Sequence, residues 1–330
     1  MGRRVLPARP IGPSLDEDAC PATAGPGRPA DNSGVEISYL GIDVGGTKVA
    51  LRAEGAGRAP YEVAFTWPVP SVVGRDLEAL AGWVDAVRAE WPEPLAGVGV
   101  AMPATLDGAG RVVTWPSRAA WTGLDLGAEL RSLFPDVRVS CADDGDLAAA
   151  AEAREAGCRD LLYIGIGTGV GGGLVLDGQI RPGLGRGSCE LGHVIVDRFG
   201  PRCDCGRRGC LQAVASGPAI LRRAAELRHQ PVTFAELTEA MGRHRSWALT
   251  AVNDACAALS VAIVSLTELV RPTLVLIGGG VAAALPSLVP TVSTLAAGLA
   301  RPGQPVPPVR PAALGGLSSL HGALLLARGL

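Results

Sequence analysis

The sequence predicts an α/β protein built from two related lobes, and three observations support this. The chain has 330 residues, 48% of them hydrophobic, which allows a large core and suits two domains better than one. Short apolar runs alternate with segments that carry apolar residues at helical spacing. A strand, a glycine-rich turn and a returning strand occur near residues 40–51 and again near 161–176. Duplication of one fold is the simplest explanation of this weak repeat.

The first half of the chain alternates strand and helix signals. Apolar residues recur at helical spacing within Asp76–Trp91, which predicts a helix. The run Leu95–Met102 is short, apolar and ended by Pro103, as expected for a buried strand. The other predicted elements are strands on both sides of the glycine turn in Val35–Leu51, a strand in Tyr61–Pro70, a helix in Leu124–Phe134, a strand in Val137–Cys141 and an alanine-rich helix in Leu147–Gly157.

The second half repeats this order. Asp160–Gly167 predicts a strand, Thr168–Gly173 a glycine-rich turn and Leu174–Leu176 the returning strand. The remaining predicted elements are helices in Gly217–Leu227, Phe234–Met241 and Ala248–Val270, a strand in Thr273–Ile277 that leads into a glycine turn and a helix, and a C-terminal helix in Ser318–Leu330.

Composition excludes several classes of protein. The net charge is -2 without a basic block, so we expect no nucleic-acid partner. Residues 1–35 are rich in proline and glycine without an apolar period, which predicts a disordered tail and not a secretion signal. The sequence has no run of 18 apolar residues that is uninterrupted by charged residues, glycine or proline, so no membrane span is expected. We therefore expect a cytoplasmic protein.

Lys48 is the only lysine of the chain, and it directly follows the turn Gly45-Gly46-Thr47. Glycines let backbone N–H groups approach phosphate oxygens, threonine adds a hydroxyl, and lysine adds a positive charge. Asp43, just before the turn, is suited to holding Mg²⁺. The motif indicates a phosphate site, and the alternative is a hairpin turn with an exposed lysine.

Two further glycine-rich elements follow strands. Residues 165–173 contain six glycines, including Gly167, Gly169 and Gly171, around Thr168. Glycine within a strand is costly, so this density indicates close approach of a ligand such as a polyphosphate, or a set of sharp bends. Gly278, Gly279 and Gly280 end a strand at the start of a helix, where the base or ribose of a nucleotide is expected. Their spacing does not match the dinucleotide fingerprint.

Three of the eight cysteines crowd into eight residues: Cys203, Cys205 and Cys210. With His193, ten residues before Cys203, they predict a Cys₃His structural zinc site. The alternative is free thiols or a redox pair. His229, His244 and His321 stand alone, and each is interpreted as a core or surface residue.

A catalytic base is expected where a carboxylate follows a strand and faces the glycine loops. Asp143, Asp144 and Asp146 follow the predicted strand Val137–Cys141. Aspartate and glycine together often mark only a turn. Their place between the two strand–turn–strand units favours a cleft between lobes, and with it a functional role.

Together these motifs resemble the ROK family, whose members are sugar kinases, related proteins and repressors of the actin–hexokinase superfamily. Asp43–Lys48 resembles the family's first phosphate loop, Gly167–Gly173 the second, and Gly278–Gly280 its adenosine element. Glu190-Leu191-Gly192-His193 with the three cysteines resembles its zinc signature. The resemblance runs from about residue 36 to the C-terminus. It implies a two-lobed actin-like, ribonuclease H-like fold with an interdomain cleft.

The resemblance also implies lobe boundaries and residue roles. The lobes would be residues 36–142, with the C-terminal helix 318–330 packing back on them, and the larger 143–317, with the zinc loop. Asp144 would be the general base, and Glu190 and His193 would contact sugar hydroxyls, His193 also binding zinc. The family commonly has Asn at Ser117, Asn at Asp143 and Glu in the segment Leu211-Gln212, so the residues that read hydroxyls differ here.

The resemblance implies an ATP- and Mg²⁺-dependent kinase that phosphorylates a primary hydroxyl of a hexose-like polyol. Because Ser117, Asp143 and Gln212 differ from the usual set, the favoured substrate is a C7-cyclitol of the valienone or valiolone type, in aminocyclitol antibiotic biosynthesis. The alternatives are a glucokinase or another hexose or N-acylhexosamine 6-kinase, and a non-catalytic ligand-binding regulator. A homodimer is expected.

Overall fold

A computed structural model describes residues 37–184 and 187–330 of the chain. The expected disordered tail, residues 1–35, lies outside the described residues.

The first sheet has five strands in the order β3-β2-β1-β4-β7. β1 pairs antiparallel with β2, and β2 with β3, whereas β1, β4 and β7 run parallel. A two-stranded hairpin, β5 and β6, follows β4. The strands are β1 (Ser38–Val44), β2 (Lys48–Gly55), β3 (Tyr61–Thr66), β4 (Leu95–Met102), β5 (Thr105–Leu106), β6 (Val112–Thr114) and β7 (Val139–Asp143).

The second sheet repeats that topology with five strands in the order β10-β9-β8-β11-β12. β8, β9 and β10 are antiparallel neighbours, and β8, β11 and β12 run parallel. The predicted duplication is confirmed by this match of strand order and direction. The strands are β8 (Leu161–Ile166), β9 (Val170–Leu176), β10 (Gln179–Arg181), β11 (Leu274–Gly278) and β12 (Val309–Pro311).

Helices cover both sheets. The core of the first sheet includes helices α1 and α2, and that of the second sheet includes α4–α9. Of these, α7 is long and apolar enough to cross a membrane by length and composition, but half of its apolar window is buried and it packs on α5 and α9, as a core helix does. The helices are α1 (Val73–Glu90), α2 (Leu126–Leu133), α3 (Asp144–Glu155), α4 (Leu211–Ala215), α5 (Gly217–Arg228), α6 (Phe234–Gly242), α7 (Ser246–Val270), α8 (Gly280–Ala284), α9 (Leu288–Gly298) and α10 (Ser318–Arg328).

Two helices join the sheets. α3 contacts β8 and β9, and α10 contacts α3 as well as β1 and β4. The close approach of α10 needs a residue without a side chain on β4, because the carbonyl oxygen of Ala323 lies where a Cβ of residue 99 would be, and Gly99 provides it. Ala101, Leu147, Ala323 and Leu326 are buried together at this junction. The lobe boundary at residues 142 and 143 stays a prediction.

Three predicted boundaries at the site are wrong. The strand predicted at Val137–Cys141 is β7, which ends at Asp143, and α3 begins at once with Asp144 instead of Leu147. Capping explains this, because the Asp143 carboxylate accepts hydrogen bonds from the N–H groups of Gly145 and Asp146. The glycine turn predicted to end at Gly173 is shorter, because β9 begins at Val170.

Candidate active site

The first glycine loop connects β1 to β2. Asp43 is the second-last residue of β1, and Lys48 is the first of β2. The loop closes through a hydrogen bond from the N–H of Gly45 to the carbonyl of Lys48, 3.0 Å long. Gly46 and Thr47 lie between them, and among the described residues neither N–H group has a hydrogen-bond partner. Two free N–H groups beside a lysine suit a phosphate group.

Carboxylates gather at the carboxyl ends of the parallel strands of the first sheet. Asp43 on β1 pairs in register with Ala101 on β4, which pairs with Ala142 on β7, so Asp43 lies level with the residues just before Asp144. Asp43 accepts a hydrogen bond from the Ser319 hydroxyl, 2.8 Å long, and burial raises the pKa of its carboxyl group. Ligands of open α/β sheets bind at such strand ends.

Asp143 and Asp144 are adjacent but have different surroundings. The Asp143 carboxylate caps α3, and burial together with the charge of Glu190 raises its pKa to about 6. Asp144 is the first residue of α3. Burial raises its pKa to about 7, and the charges of Asp143 and Asp43 add to that rise. A pKa near 7 suits a group that takes up a proton during catalysis at neutral pH.

The second and third glycine elements lie on neighbouring parallel strands of the second sheet. Gly278 at the end of β11 is in register with Gly165 of β8, whose strand leads into the turn 167–169. The N–H of Gly167 donates to the carbonyl of Gly169, and the carbonyl of Gly167 accepts from the N–H of Gly217. The sequence placed these two elements apart in the chain, and the sheet brings them to one edge.

The glycines of the second element divide into two groups. At Gly167 and Gly171 a Cβ would meet no atom within 4 Å, so these positions border open space. At Gly173 a Cβ would lie 2.6 Å from the Cβ of Ala149 and 2.6 Å from the carbonyl oxygen of Gly145, both on α3. Gly173 is therefore required by packing of α3 on the sheet, whereas Gly167, Thr168, Gly169 and Gly171 remain the candidates for contact with phosphate.

The residues expected to contact sugar hydroxyl groups lie in four segments: the 3-10 segment with Ser117, the start of α3, the segment with Glu190 and His193, and α4 with Gln212. Ser117 is exposed and packs on the first glycine loop, with its Cβ 2.6 Å from where a Cβ of Gly46 would be. Glu190 is exposed, accepts a hydrogen bond from the Ser188 hydroxyl, 3.0 Å long, and lies 4.0 Å from His193 Nε2. Ser188 also lies near enough to Asp143 to lower the pKa of that carboxyl group, while its hydroxyl donates to Glu190.

Gln212 lies against the cysteine cluster. Its amide nitrogen donates to Cys203 Sγ over 3.5 Å, and its amide oxygen lies beside Gly169 and Gly192. A hydrogen bond to a metal-binding sulfur orients that ligand and tunes the metal. The geometry thus gives Gln212 a role beside the cysteines in addition to the contact with substrate that the sequence suggested.

The four predicted zinc ligands are close together. His193, Cys203, Cys205 and Cys210 each offer a ligand atom, and these atoms all lie within 4.8 Å of one another. The distances from His193 Nδ1 to Cys203 Sγ and from Cys205 Sγ to Cys210 Sγ are both 3.7 Å. In a tetrahedron with Zn–S bonds of about 2.3 Å, two sulfur atoms are about 3.8 Å apart, so this donor set fits zinc.

Comparison with known proteins assigns the family. The sequence model of the family described as "ROK family" matches residues 39–329 of the chain. The chain belongs to the ROK family. It is 56% identical over 289 residues to a protein named kanosamine kinase from Amycolatopsis mediterranei, covering 88% of this chain and 95% of that protein.

Two solved ROK structures resemble the chain closely in fold. A ROK hexokinase from Thermus thermophilus has a TM-score of 0.74 at 30% identity, covering 88% of this chain and 98% of that one. A ROK family glucokinase from Streptomyces griseus, solved with glucose and AMPPNP, has a TM-score of 0.74 at 24% identity, covering 89% of this chain and 100% of that one. The expected two-lobed actin-like fold and the expected sugar kinase activity are confirmed by these relatives.

Sequence reasoning missed several residues of this ROK site. Behind the first glycine loop lies a buried ion pair between Arg118 and Asp76, surrounded by tryptophan side chains. No motif marks Arg118 or Asp76. The only signal was that two tryptophans, Trp115 and Trp121, lie in a segment without helical or strand periodicity. Asp146, which the sequence offered as a candidate base, is the third residue of α3 and is buried, and burial raises its pKa to about 7.

Proposed function

We propose that this ROK protein uses ATP to phosphorylate the exocyclic primary hydroxyl of an amino-hexose of the kanosamine type, which carries an amino group in place of the 3-hydroxyl of glucose. The single observation that supports this substrate class is the crowding of carboxylates at the site. The charge of Glu190 raises the pKa values of Asp143 and Asp146, and the charge of Asp143 raises those of Asp144 and Asp146. None of these four carboxylates forms an ion pair with a described arginine or lysine. A cationic substrate would relieve that repulsion.

In the proposed reaction, different segments bind the phosphates, border the nucleoside and accept the proton. Asp144 accepts the proton of the primary hydroxyl as the hydroxyl oxygen attacks the terminal phosphate of ATP. The free N–H groups of Gly46 and Thr47 and the Lys48 ammonium group hold the phosphates from one side, and Gly167–Gly171 hold them from the other. Gly278, Gly279 and Gly280 border the nucleoside. Mg²⁺, for which Asp43 is the proposed carboxylate partner, supplies charge neutralisation at the phosphates.

Asp143 is the residue that we assign to the substrate amine. Its Oδ1 is occupied by the N–H groups of Gly145 and Asp146, and the nearby Ser188 hydroxyl donates to Glu190. One hydroxyl proton cannot serve two carboxylates at once. An ammonium group offers three donors and a positive charge at this point, whereas a neutral sugar hydroxyl offers one donor and no charge. The 56% identical relative is named for an amino sugar of this kind.

A C7-cyclitol that bears a hydroxymethyl group is the second candidate substrate. The observation that favours it is the set of departures from the family's usual residues at Ser117, Asp143 and Gln212. Both candidates place the reaction in natural-product biosynthesis. We further propose a structural zinc at His193, Cys203, Cys205 and Cys210, a homodimer, and a cytoplasmic location, where thiols stay reduced and ATP is supplied.

The test is a comparison of kcat/KM for kanosamine, glucose, N-acetylmannosamine and one hydroxymethyl-bearing C7-cyclitol, with ADP release as the readout and phosphorus NMR to locate the phosphate. We expect kanosamine to exceed glucose by roughly ten- to a hundredfold, the usual value of one charge-assisted hydrogen bond. If glucose exceeds both candidates by about tenfold, the amino-hexose and cyclitol proposals both fail. If the cyclitol leads, the second candidate replaces the first.

A substitution at Asp143 tests the assignment of the amine. Asp143→Asn keeps an oxygen that can cap α3 but removes the charge. We expect kcat/KM for kanosamine to fall and kcat/KM for glucose to stay the same or rise. The ratio of the two values should therefore fall by about tenfold or more. Asp136→Asn, an exposed aspartate outside the site, is the matched control. An unchanged preference in Asp143→Asn would remove Asp143 from this role while leaving the kinase assignment intact.

A further inference from the structure

A buried ion pair lies directly behind the first glycine loop. Arg118 is 4% exposed and Asp76 is fully buried, and their side chains are in contact. Asp76 comes from the first turn of α1, and Arg118 comes from the 3-10 segment Pro116–Trp121. The Asp76 carboxylate also accepts hydrogen bonds from the Ser71 hydroxyl and from Trp121 Nε1, at 2.8 and 2.9 Å. A buried charge needs this degree of pairing.

This ion pair is connected to the backbone of the loop. Arg118 Nε donates to the carbonyl of Gly46 over 3.2 Å. The Arg118 guanidinium lies 4.4 Å over the ring of Trp67, and Trp67 Nε1 donates to the carbonyl of Gly45 over 2.8 Å. The carbonyl oxygens of both glycines are therefore held from behind by groups that are themselves buried.

Holding these two carbonyl groups also orients two N–H groups. In a planar trans peptide the C=O and the following N–H point in opposite directions. The peptide of the Gly45 carbonyl carries the N–H of Gly46, and the peptide of the Gly46 carbonyl carries the N–H of Thr47. These are the two N–H groups without a partner among the described residues. They point away from Arg118 and Trp67, to the side on which a phosphate would bind.

We propose that Arg118, anchored by Asp76 and stacked on Trp67, is a positioning residue that holds the first glycine loop in its ATP-binding conformation. The proposal rests on the kinase function through the role of this loop. It extends to the acceptor, because Ser117, next to Arg118, packs on Gly46 and is a proposed sugar contact. The segment 116–121 thus joins the acceptor side of the site to the phosphate loop, and binding of sugar and of ATP should strengthen each other.

Two variants test this in the full-length chain. Arg118→Lys keeps a charge for Asp76 but loses the planar donor group that reaches Gly46. Trp67→Phe keeps an aromatic ring under Arg118 but loses the hydrogen bond to Gly45. For each variant, we would measure the Kd of ATP without sugar, the Kd of ATP with kanosamine present, and KM and kcat for both substrates. We expect the Kd and KM of ATP to rise by roughly tenfold or more in both variants.

Ser71→Ala is the matched control, because Ser71 contacts Asp76 and Arg118 but not the loop. It should lower the melting temperature without changing the affinity for ATP. If Arg118→Lys and Trp67→Phe also lower only the melting temperature, the network serves packing alone and the proposal fails. The Kd of ATP can be measured without a sugar acceptor. If the wild-type protein binds ATP but phosphorylates no amino-hexose, the proposed substrate is wrong, and the comparison of ATP affinities still tests the role of Arg118.

Discussion

We assign different tasks to two adjacent aspartates at the site, because the backbone changes direction between them. Asp143 is the extended N-cap of α3, so its carboxylate is turned back onto the N–H groups of the first helical turn. Asp144 is already helical and does not cap α3, which leaves its carboxylate for the proposed role as the base. Burial and two neighbouring carboxylates keep the pKa of Asp144 near 7. Environment alone thus separates two residues of identical chemistry.

Replacing Asp144 tests its role as the base. We expect Asp144→Asn to retain ATP binding and fold but to lower kcat by roughly 10²–10⁴, the usual contribution of a positioned acid–base group. In the wild type, kcat/KM should rise with pH through about 7, as the carboxyl group loses its proton, and this rise should vanish in the variant. If Asp143→Asn abolishes turnover while Asp144→Asn is mild, the two roles are reversed.

At the scale of elements, we expect the cysteine loop to position part of the proposed sugar site. His193 belongs to the 3-10 segment Leu191–His193 directly after Glu190, and α4 begins directly after Cys210. A metal bound by His193 and the three cysteines would therefore fix Glu190 on one side and Gln212 on the other. Isolated loops of this length have no core of their own, so a metal supplies much of their stability.

The metal loop leads to a prediction about zinc content. Purified protein should contain about one zinc per chain, as four-ligand structural sites do. Cys205→Ser should lower both zinc content and melting temperature, and it should weaken sugar binding more than ATP binding because Glu190 and His193 are proposed sugar contacts. Cys256→Ser, a buried cysteine outside the loop, is the control for loss of a thiol. Full activity and stability in zinc-free protein would contradict the assignment.

The third glycine element requires glycine at one of its positions. Gly279 has φ of +88°, and a Cβ there would lie 2.6 Å from the backbone nitrogen of Ile166. Gly279→Ala should therefore destabilise the protein by about 1–3 kcal/mol, through strain and backbone displacement. At Gly280, a Cβ would meet no atom within 4 Å, so Gly280→Ala should leave stability nearly unchanged. Equal melting temperatures of both variants would contradict this account.

The sequence predicted elements better than it predicted their ends or their partners. The long helix at 248–270 and the repeated strand–turn–strand unit are confirmed, because periodicity and glycine turns are local signals. The start of α3 was missed because a capping side chain, Asp143, replaced the expected loop. The glycines of 165–173 looked equivalent, and only the position of α3 shows that Gly173 serves packing.

At the scale of the whole molecule, the candidate site is formed where two copies of one topology meet. The first sheet brings Asp43, Asp143 and Asp144 to the carboxyl ends of β1 and β7, and the second brings Gly167 and Gly278 to the ends of β8 and β11. The order of the glycine and aspartate motifs along the sequence predicted that these five residues belong to one site. The Arg118–Asp76 pair could not be predicted, because it joins residues 42 positions apart that carry no motif and meet only through the fold.

Crowded carboxylates should also make the stability of the ligand-free molecule depend on pH. The folded pKa values of Asp143, Asp144 and Asp146 are raised to about 6, 7 and 7, so between about pH 4 and 7 the folded chain binds more protons than the unfolded chain. The free energy of unfolding must then fall as pH rises through this window.

Asp146→Asn keeps an oxygen for the Cys189 N–H but removes the buried charge. At pH 8 it should melt roughly 2–4 °C above the wild type, and at pH 5 the difference should shrink. Asp136→Asn should show no such dependence, and an equal difference at both pH values would disprove the electrostatic explanation.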